Sequence, residues 1–136
     1  MKNTIRIALV SLSSALAACS APSTSPQAQA TPTQAALTQL QQVRDDYNAG
    51  KYGDVVRTVA TSGELAGSTP AVVVESLKLQ AFSYCIINYQ TLCQDDFTRI
   101  LAIEPDFTLT PAEQGHPKWG PAFRAAKAAA GATASR

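Results

Sequence analysis

The chain has 136 residues, 11 Lys+Arg against 10 Asp+Glu and a formal net charge of +1, a size that fits one small domain. This near-balance excludes a general nucleic-acid binder, which carries a basic stripe. One Trp, one Met, one His and three Cys leave little material for catalysis, and much of the 46% apolar content comes from Ala-rich ends rather than from a large core.

The first residues read as an export signal. Lys2 and Arg6 form a positive start, and Ile7 to Leu12 open an apolar stretch that continues through small residues to Ala18. It is too short to cross a membrane, which takes about 20 consecutive apolar residues. The stretch closes on Leu16-Ala17-Ala18-Cys19, which resembles the lipobox of bacterial lipoproteins. The resemblance implies that residues 1–18 are a signal peptide cut before Cys19, with diacylglycerol on the Cys19 sulfur and a further acyl chain on the new amine. Two or more chains anchor firmly, since each buried CH₂ contributes about 0.8 kcal/mol. Ser20 stands where retention in the inner membrane would require Asp, so the same resemblance implies the periplasmic face of the outer membrane. Loss of Lys2 and Arg6 takes the basic residues from 11 to 9 against 10 acidic ones, so no attraction to anionic surfaces is expected. An ordinary secretory signal with a chance cysteine is the plainer alternative.

Residues 19–33 follow as lipidated Cys and tether. From Ser20 to Thr33 the sequence is Ser, Thr, Pro, Ala and Gln without charge, a composition that cannot bury enough surface to order itself. Pro22, Pro26 and Pro32 should keep it partly extended.

Residues 34–129 are the expected domain. Leu37, Leu40, Val43 and Tyr47 recur at helical spacing up to Asn48-Ala49-Gly50, where Gly suits a left-handed stop. A second helix is expected from Tyr52 to Ala60, then a loop from Thr61 to Thr69. Thr69-Pro70 marks the next helix start. That helix runs to about Asn88, and its apolar stripe (Val73, Leu77, Ala81 and Tyr84, widened by Val74, Phe82, Cys85 and Ile86) is too broad for one packing partner. Gln94 to Ile103 continues as a helix ended by Glu104-Pro105.

Antiparallel helices with short turns at a period of roughly 34 residues resemble tetratricopeptide repeats. Leu77, Ala81, Tyr84, Cys93, Phe97, Ile100 and Pro105 match the alternating large and small positions and the terminal proline of that repeat. The first unit is degenerate: it keeps Tyr47 to Tyr52, Val55 and Val59, and about four extra residues separate it from the second. The fold class is therefore all-α, a short hairpin array of this kind; an unrelated helical bundle would show the same amphipathic spacing. Two units fall below the three or so that such stacks need, so the ends require closure.

Cys85 and Cys93 supply one closure. With Cys19 taken by lipid they remain as an even pair in an oxidising compartment, flanking a turn. A structural disulfide fits better than a redox pair, because C-x₇-C is not C-x-x-C, and better than a metal site, because no His cluster accompanies it. The segment Pro105 to Phe123 supplies the other. Phe107, Leu109, Trp119 and Phe123 are its apolar residues, His116 reads as a loop residue bonding backbone, and a final helix is expected from Lys118 to Ala129, followed by a disordered tail over 130–136.

The lipobox, the tether, the paired cysteines and the runs Glu104-Pro105-Asp106-Phe107-Thr108-Leu109 and Gly115-His116-Pro117-Lys118-Trp119-Gly120-Pro121 together resemble the TssQ-type lipoproteins associated with type VI secretion. The resemblance spans about Leu37 to Lys127. It implies an accessory protein of a contractile secretion apparatus with a scaffolding role; periplasmic lipoproteins of envelope assembly or pilus biogenesis share the general plan.

No catalytic residue, cofactor or metal site is nominated. Asp45-Asp46 reads as a solvated helix face, and Asp95-Asp96 as an acidic start to its helix. Repeat alignment places Leu40, Arg44, Tyr47, Lys78 and Phe82 on an inner face that would hold a protein partner; Tyr47 and Phe82 in the core is the competing reading. The expected partners are thus a membrane, through the lipid, and an envelope or secretion-system protein. A small redox protein using Cys85 and Cys93 is the remaining alternative.

Overall fold

The computed structural model describes residues 31–134, and every regular element among them is a helix. The expected signal peptide, the lipidated Cys19 and the tether as far as residue 30 lie outside the described residues.

Helix α1 (Gln34–Asn48) starts where Thr33 caps it, its hydroxyl accepting the Ala36 N–H at 3.0 Å. It buries Ala36, Leu40, Val43 and also Asp46. This corrects the expected solvated face for Asp46, whose carboxylate is held by Gln42 and Lys51. The chain then turns into α2 (Tyr52–Thr61), which buries Val55 and Val59. The expected loop after it contains a further helical turn, α3 (Gly63–Ala66). Ser62 explains that turn: its hydroxyl accepts the Leu65 N–H and donates to the Gln39 side chain, which ties the turn to α1 while Leu65 is buried.

Helix α4 (Pro70–Ile86) packs against α1 and α2 and also against α5 (Gln90–Ile103), which in turn packs against α7 (Gly120–Ala134). Burial on two sides accounts for the broad apolar stripe of α4. Its buried polar groups are satisfied nearby: Ser76 and Ser83 donate to the Val73 and Leu79 carbonyls, and Gln80 donates to the Val56 carbonyl on α2. Helix α5 begins four residues before the expected Gln94, because the turn takes only Ile87 to Tyr89, with Asn88 at φ 69 and the Tyr89 N–H returning to the Tyr84 carbonyl at 2.8 Å. Asp95 and Asp96 therefore sit beyond the first turn and do not serve its dipole; Asp96 faces inward and is 4% exposed.

Cys85 and Cys93 are joined as a disulfide across this turn, Cα to Cα 5.3 Å, and both are fully buried. Between α5 and α7 the chain forms one short helix, α6 (Pro111–Gln114). Helix α7 starts at Gly120 rather than Lys118, since residues 117–119 form a turn. It also runs through the expected tail to Ala134. The Ala-rich sequence has high helix propensity, and Ala130 packs partly buried against the core, so 130–134 prolong the helix. Residues 135–136 lie outside the described residues.

Candidate partner-binding face

Glu75, Lys78 and Phe82 follow one another at helical spacing along α4, beside the edge of α1 that carries Arg44. Arg44 spans the two helices with a two-pronged bond to Glu75, Nε and Nη2 each 2.7 Å from a carboxylate oxygen. That bond holds the guanidinium above its ordinary pKa. Leu37, two turns earlier on the same edge of α1, is exposed.

The far half of this face is covered by the chain itself. The segment Leu109–Trp119, here called the strap, crosses it, and Glu113 reaches Lys78 Nζ at 3.0 Å. Trp119 stacks on Phe82 with ring centroids 4.1 Å apart, and His116 stacks on Trp119 at 3.4 Å, so the indole lies between two rings. Tyr47 also neighbours Phe82, the tilted rings having centroids 6.3 Å apart, and meets Tyr52 edge-on at 5.6 Å. Burial pushes the Tyr47 hydroxyl up to about 12, with Tyr52 and Glu113 adding to the rise. Burial pulls Glu113 upward, but the Thr110 backbone N–H, the Lys78 ammonium and the Thr110 hydroxyl together hold it below its ordinary value.

Leu40 and Phe82 are 2% and 3% exposed, so neither belongs to an open groove. For Leu40 this corrects the inner-face assignment, since it packs into the core with the first hairpin's other apolar residues. Phe82 stays on the face but lies under Trp119, which covers it here. Tyr47 is half-buried against the same core. Arg44 and Lys78 reach the surface, each already paired with a carboxylate. Of the cap residues, Phe123 packs against Phe97 and Phe107, and His116 Nδ1 accepts the Lys118 N–H at 3.2 Å.

Glu75 and Glu113, the acidic partners of the face, escape a reading of apolar periodicity. Nothing in the sequence marks Glu75. Thr110-Pro111-Ala112-Glu113, however, is a capping-box pattern, and both its bonds are made. Clefts lie elsewhere, among them one of about 540 Å³ between the strap and α7 and one of about 760 Å³ between α5 and α7. Neither is lined by Arg44, Tyr47, Lys78 or Phe82.

Among the described residues no group of three or more His, Cys, Asp and Glu side chains is arranged to hold a metal, and no helix is long and apolar enough to cross a membrane. No family model, curated protein or solved structure matches this chain.

Proposed function

We propose that the chain is a lipid-anchored protein of the periplasmic face of the outer membrane, a non-enzymatic adaptor that binds a protein partner through a tetratricopeptide-like face and serves a type VI secretion apparatus. The observation that carries this reading is the order of the sequence: a lipobox ending at Cys19, a charge-free tether, and a helical unit whose first helix starts at Gln34. Two helix hairpins in succession, α1 with α2 and α4 with α5, support the repeat-like arrangement. The link to type VI secretion rests on the sequence resemblance alone. The burial of Cys85 and Cys93 as a disulfide favours a structural bridge over a redox pair, since attack on a disulfide needs access to a sulfur.

Labelling cells with radioactive palmitate tests the anchor. The wild-type chain should take up label and fractionate with the outer membrane, and Cys19→Ser should do neither; a labelled Cys19→Ser variant removes the lipoprotein reading. A photocrosslinking residue in place of exposed Leu37, which lies along the same face and leaves Lys78 intact, tests the adaptor role. It should capture a discrete envelope component, and capture of none removes that role.

A further inference from the structure

The face proposed above for a partner is covered by the chain itself, and the covering contacts show the chemistry the face accepts. Lys78 takes a carboxylate and Phe82 takes an indole, both supplied by the strap, from Glu113 and Trp119 six positions apart. We propose that the strap is a displaceable occupant of this face, and that the partner displacing it is a peptide with a carboxylate followed, at the strap's spacing, by an aromatic ring. This rests on reading Arg44, Lys78 and Phe82 as the partner-binding face.

The strap is built to move as a unit. Its backbone hydrogen bonds among the described residues stay within the strap or at its junction with α7: Gln114 N–H to Thr110 O, His116 N–H to Glu113 O and Gly120 N–H to His116 O. Side chains add to this internal set, with Gln114 Nε2 donating to Leu109 O at 2.6 Å and the Trp119 indole N–H donating to Glu113 O at 2.8 Å. Lifting the strap therefore costs no backbone bond to α1 or α4. Among the described residues its polar holds on the rest of the fold are two lysine contacts, Lys78 to Glu113 and Lys118 to the Asn88 side chain at 3.2 Å. The apolar holds are Trp119 on Phe82 and the buried Leu109. Its two ends remain fixed, because α5 and α7 pack on each other independently of it.

The uncovered half of the face gives an incoming peptide its first contact. Leu37 and the Arg44–Glu75 pair, both of whose side chains are more than a third exposed, continue the line from Lys78 along the edge of α1. A peptide seated there would meet the strap end-on at Lys78, where its carboxylate competes with Glu113 for one ammonium.

Trp119 is the only Trp in the chain, which makes the test direct. A full-length Trp119→Ala chain is mixed with a synthetic peptide of Thr108 to Trp119, so that the peptide carries the only indole. Its emission should shift to the blue and saturate, and Lys78→Gln in the same background should weaken binding by about two- to five-fold, as for a partly exposed ion pair. A peptide emission unchanged from that in buffer, in a Trp119→Ala chain that keeps wild-type helicity, overturns the proposal. Hydrogen exchange of the wild-type chain decides the matter if that variant does not fold. The amides of Gln114, His116 and Gly120 should exchange well before those of α4 and α5, and exchange only at the rate of α4 overturns the proposal. Gly120→Ala should speed strap exchange further, because the added Cβ would lie 2.5 Å from the Gln114 carbonyl oxygen. The two readings fail separately. A crosslinked envelope partner alongside a strap as slow as α4 removes displacement alone, whereas an opening strap with no partner captured at position 37 removes the adaptor role.

Discussion

Where α1 turns into α2, Gly50 takes φ +73 and the Lys51 N–H returns to the Asp46 carbonyl; where α4 turns into α5, Asn88 takes φ 69 and the Tyr89 N–H returns to the Tyr84 carbonyl. Gly50 and Asn88 stand 38 residues apart, and the same offset pairs Val43 with Ala81, Val55 with Cys93 and Val59 with Phe97, all buried. The backbone solution is shared, but what holds it differs. The first hairpin uses a glycine, aliphatic core residues and one half-buried tyrosine pair, Tyr47 and Tyr52. The second uses an asparagine, a disulfide and a set of rings, because it packs against the first hairpin on one side and α7 on the other. A hairpin packed on one side can be lightly built, and one packed on both sides cannot.

The largest test of this contrast is at the paired positions 97 and 59. Phe97 is fully buried and touches Phe82 and Phe123, with ring centroids 6.1 and 5.2 Å away. Phe97→Ala should cost about 3–5 kcal/mol, against about 1–2 kcal/mol for Val59→Ala, which removes two methyl groups' worth of burial. Urea unfolding monitored by circular dichroism would measure both. Equal losses would show that the hairpins carry equal shares of the core.

The disulfide comes next. Its cysteines are eight positions apart, so closing this short loop should stabilise the fold by about 2–3 kcal/mol through the unfolded chain. The double variant Cys85→Ala with Cys93→Ala should lower the denaturation midpoint accordingly. The first hairpin has Val55 at the position of Cys93 and holds its turn without a crosslink. A double variant as stable as wild type would make the bridge dispensable there too.

Each hairpin also buries one aspartate, and the pair are unequal. Asp46 has both oxygens engaged, one by Gln42 at 3.0 Å and one by Lys51 at 3.6 Å. Asp96 bonds Arg99 through one oxygen at 2.9 Å, while the other is buried with no partner among the described residues. Burial raises the Asp96 carboxyl to about 6; Arg99 opposes the rise and Asp95 adds to it. A raised carboxylate pKa means that the folded state takes up a proton before the unfolded chain does. This group's contribution to stability therefore grows as pH falls from about 7 through 6 and is complete below about 4. Asp96→Asn should stabilise the chain at pH 7 by on the order of 2 kcal/mol and flatten its stability between pH 4 and 7. Thermal melts across that range check it; an unchanged slope would show that Asp96 does not set it.

Apolar periodicity is a record of burial, and it revealed what depends on burial alone. The helical positions of Leu40, Val43, Leu77, Ala81, Phe97 and Ile100 follow from spacing, and the two-sided packing of α4 follows from the width of its stripe. The strap is legible only in composition, because its shape comes from side chains closing on backbone: Gln114 on Leu109, Trp119 on Glu113 and the Thr110 capping box. Lys78 and Phe82 could be named as facing one way from spacing on one helix. That Glu113 and Trp119 would cover them could not, since the pairs are 35 and 37 residues apart and no periodic signal joins them.

The smallest expected effect returns to the two turns. A Cβ at Gly50 would meet nothing within 4 Å, so substitution there carries only the backbone cost of a left-handed φ of +73. Gly50→Ala should therefore cost about 1 kcal/mol. Gly50→Asn should cost only a few tenths, because asparagine tolerates this region through local hydrogen bonding, as Asn88 does in the other turn. In the second turn Asn88→Gly relieves the backbone but gives up the Lys118 contact and raises the entropy of the unfolded chain, so it should be close to neutral. Thermal melts of the three variants set the comparison. If Gly50→Asn loses as much as Gly50→Ala, the two turns are held by different physics despite sharing a φ, and the 38-residue correspondence ends at the helices.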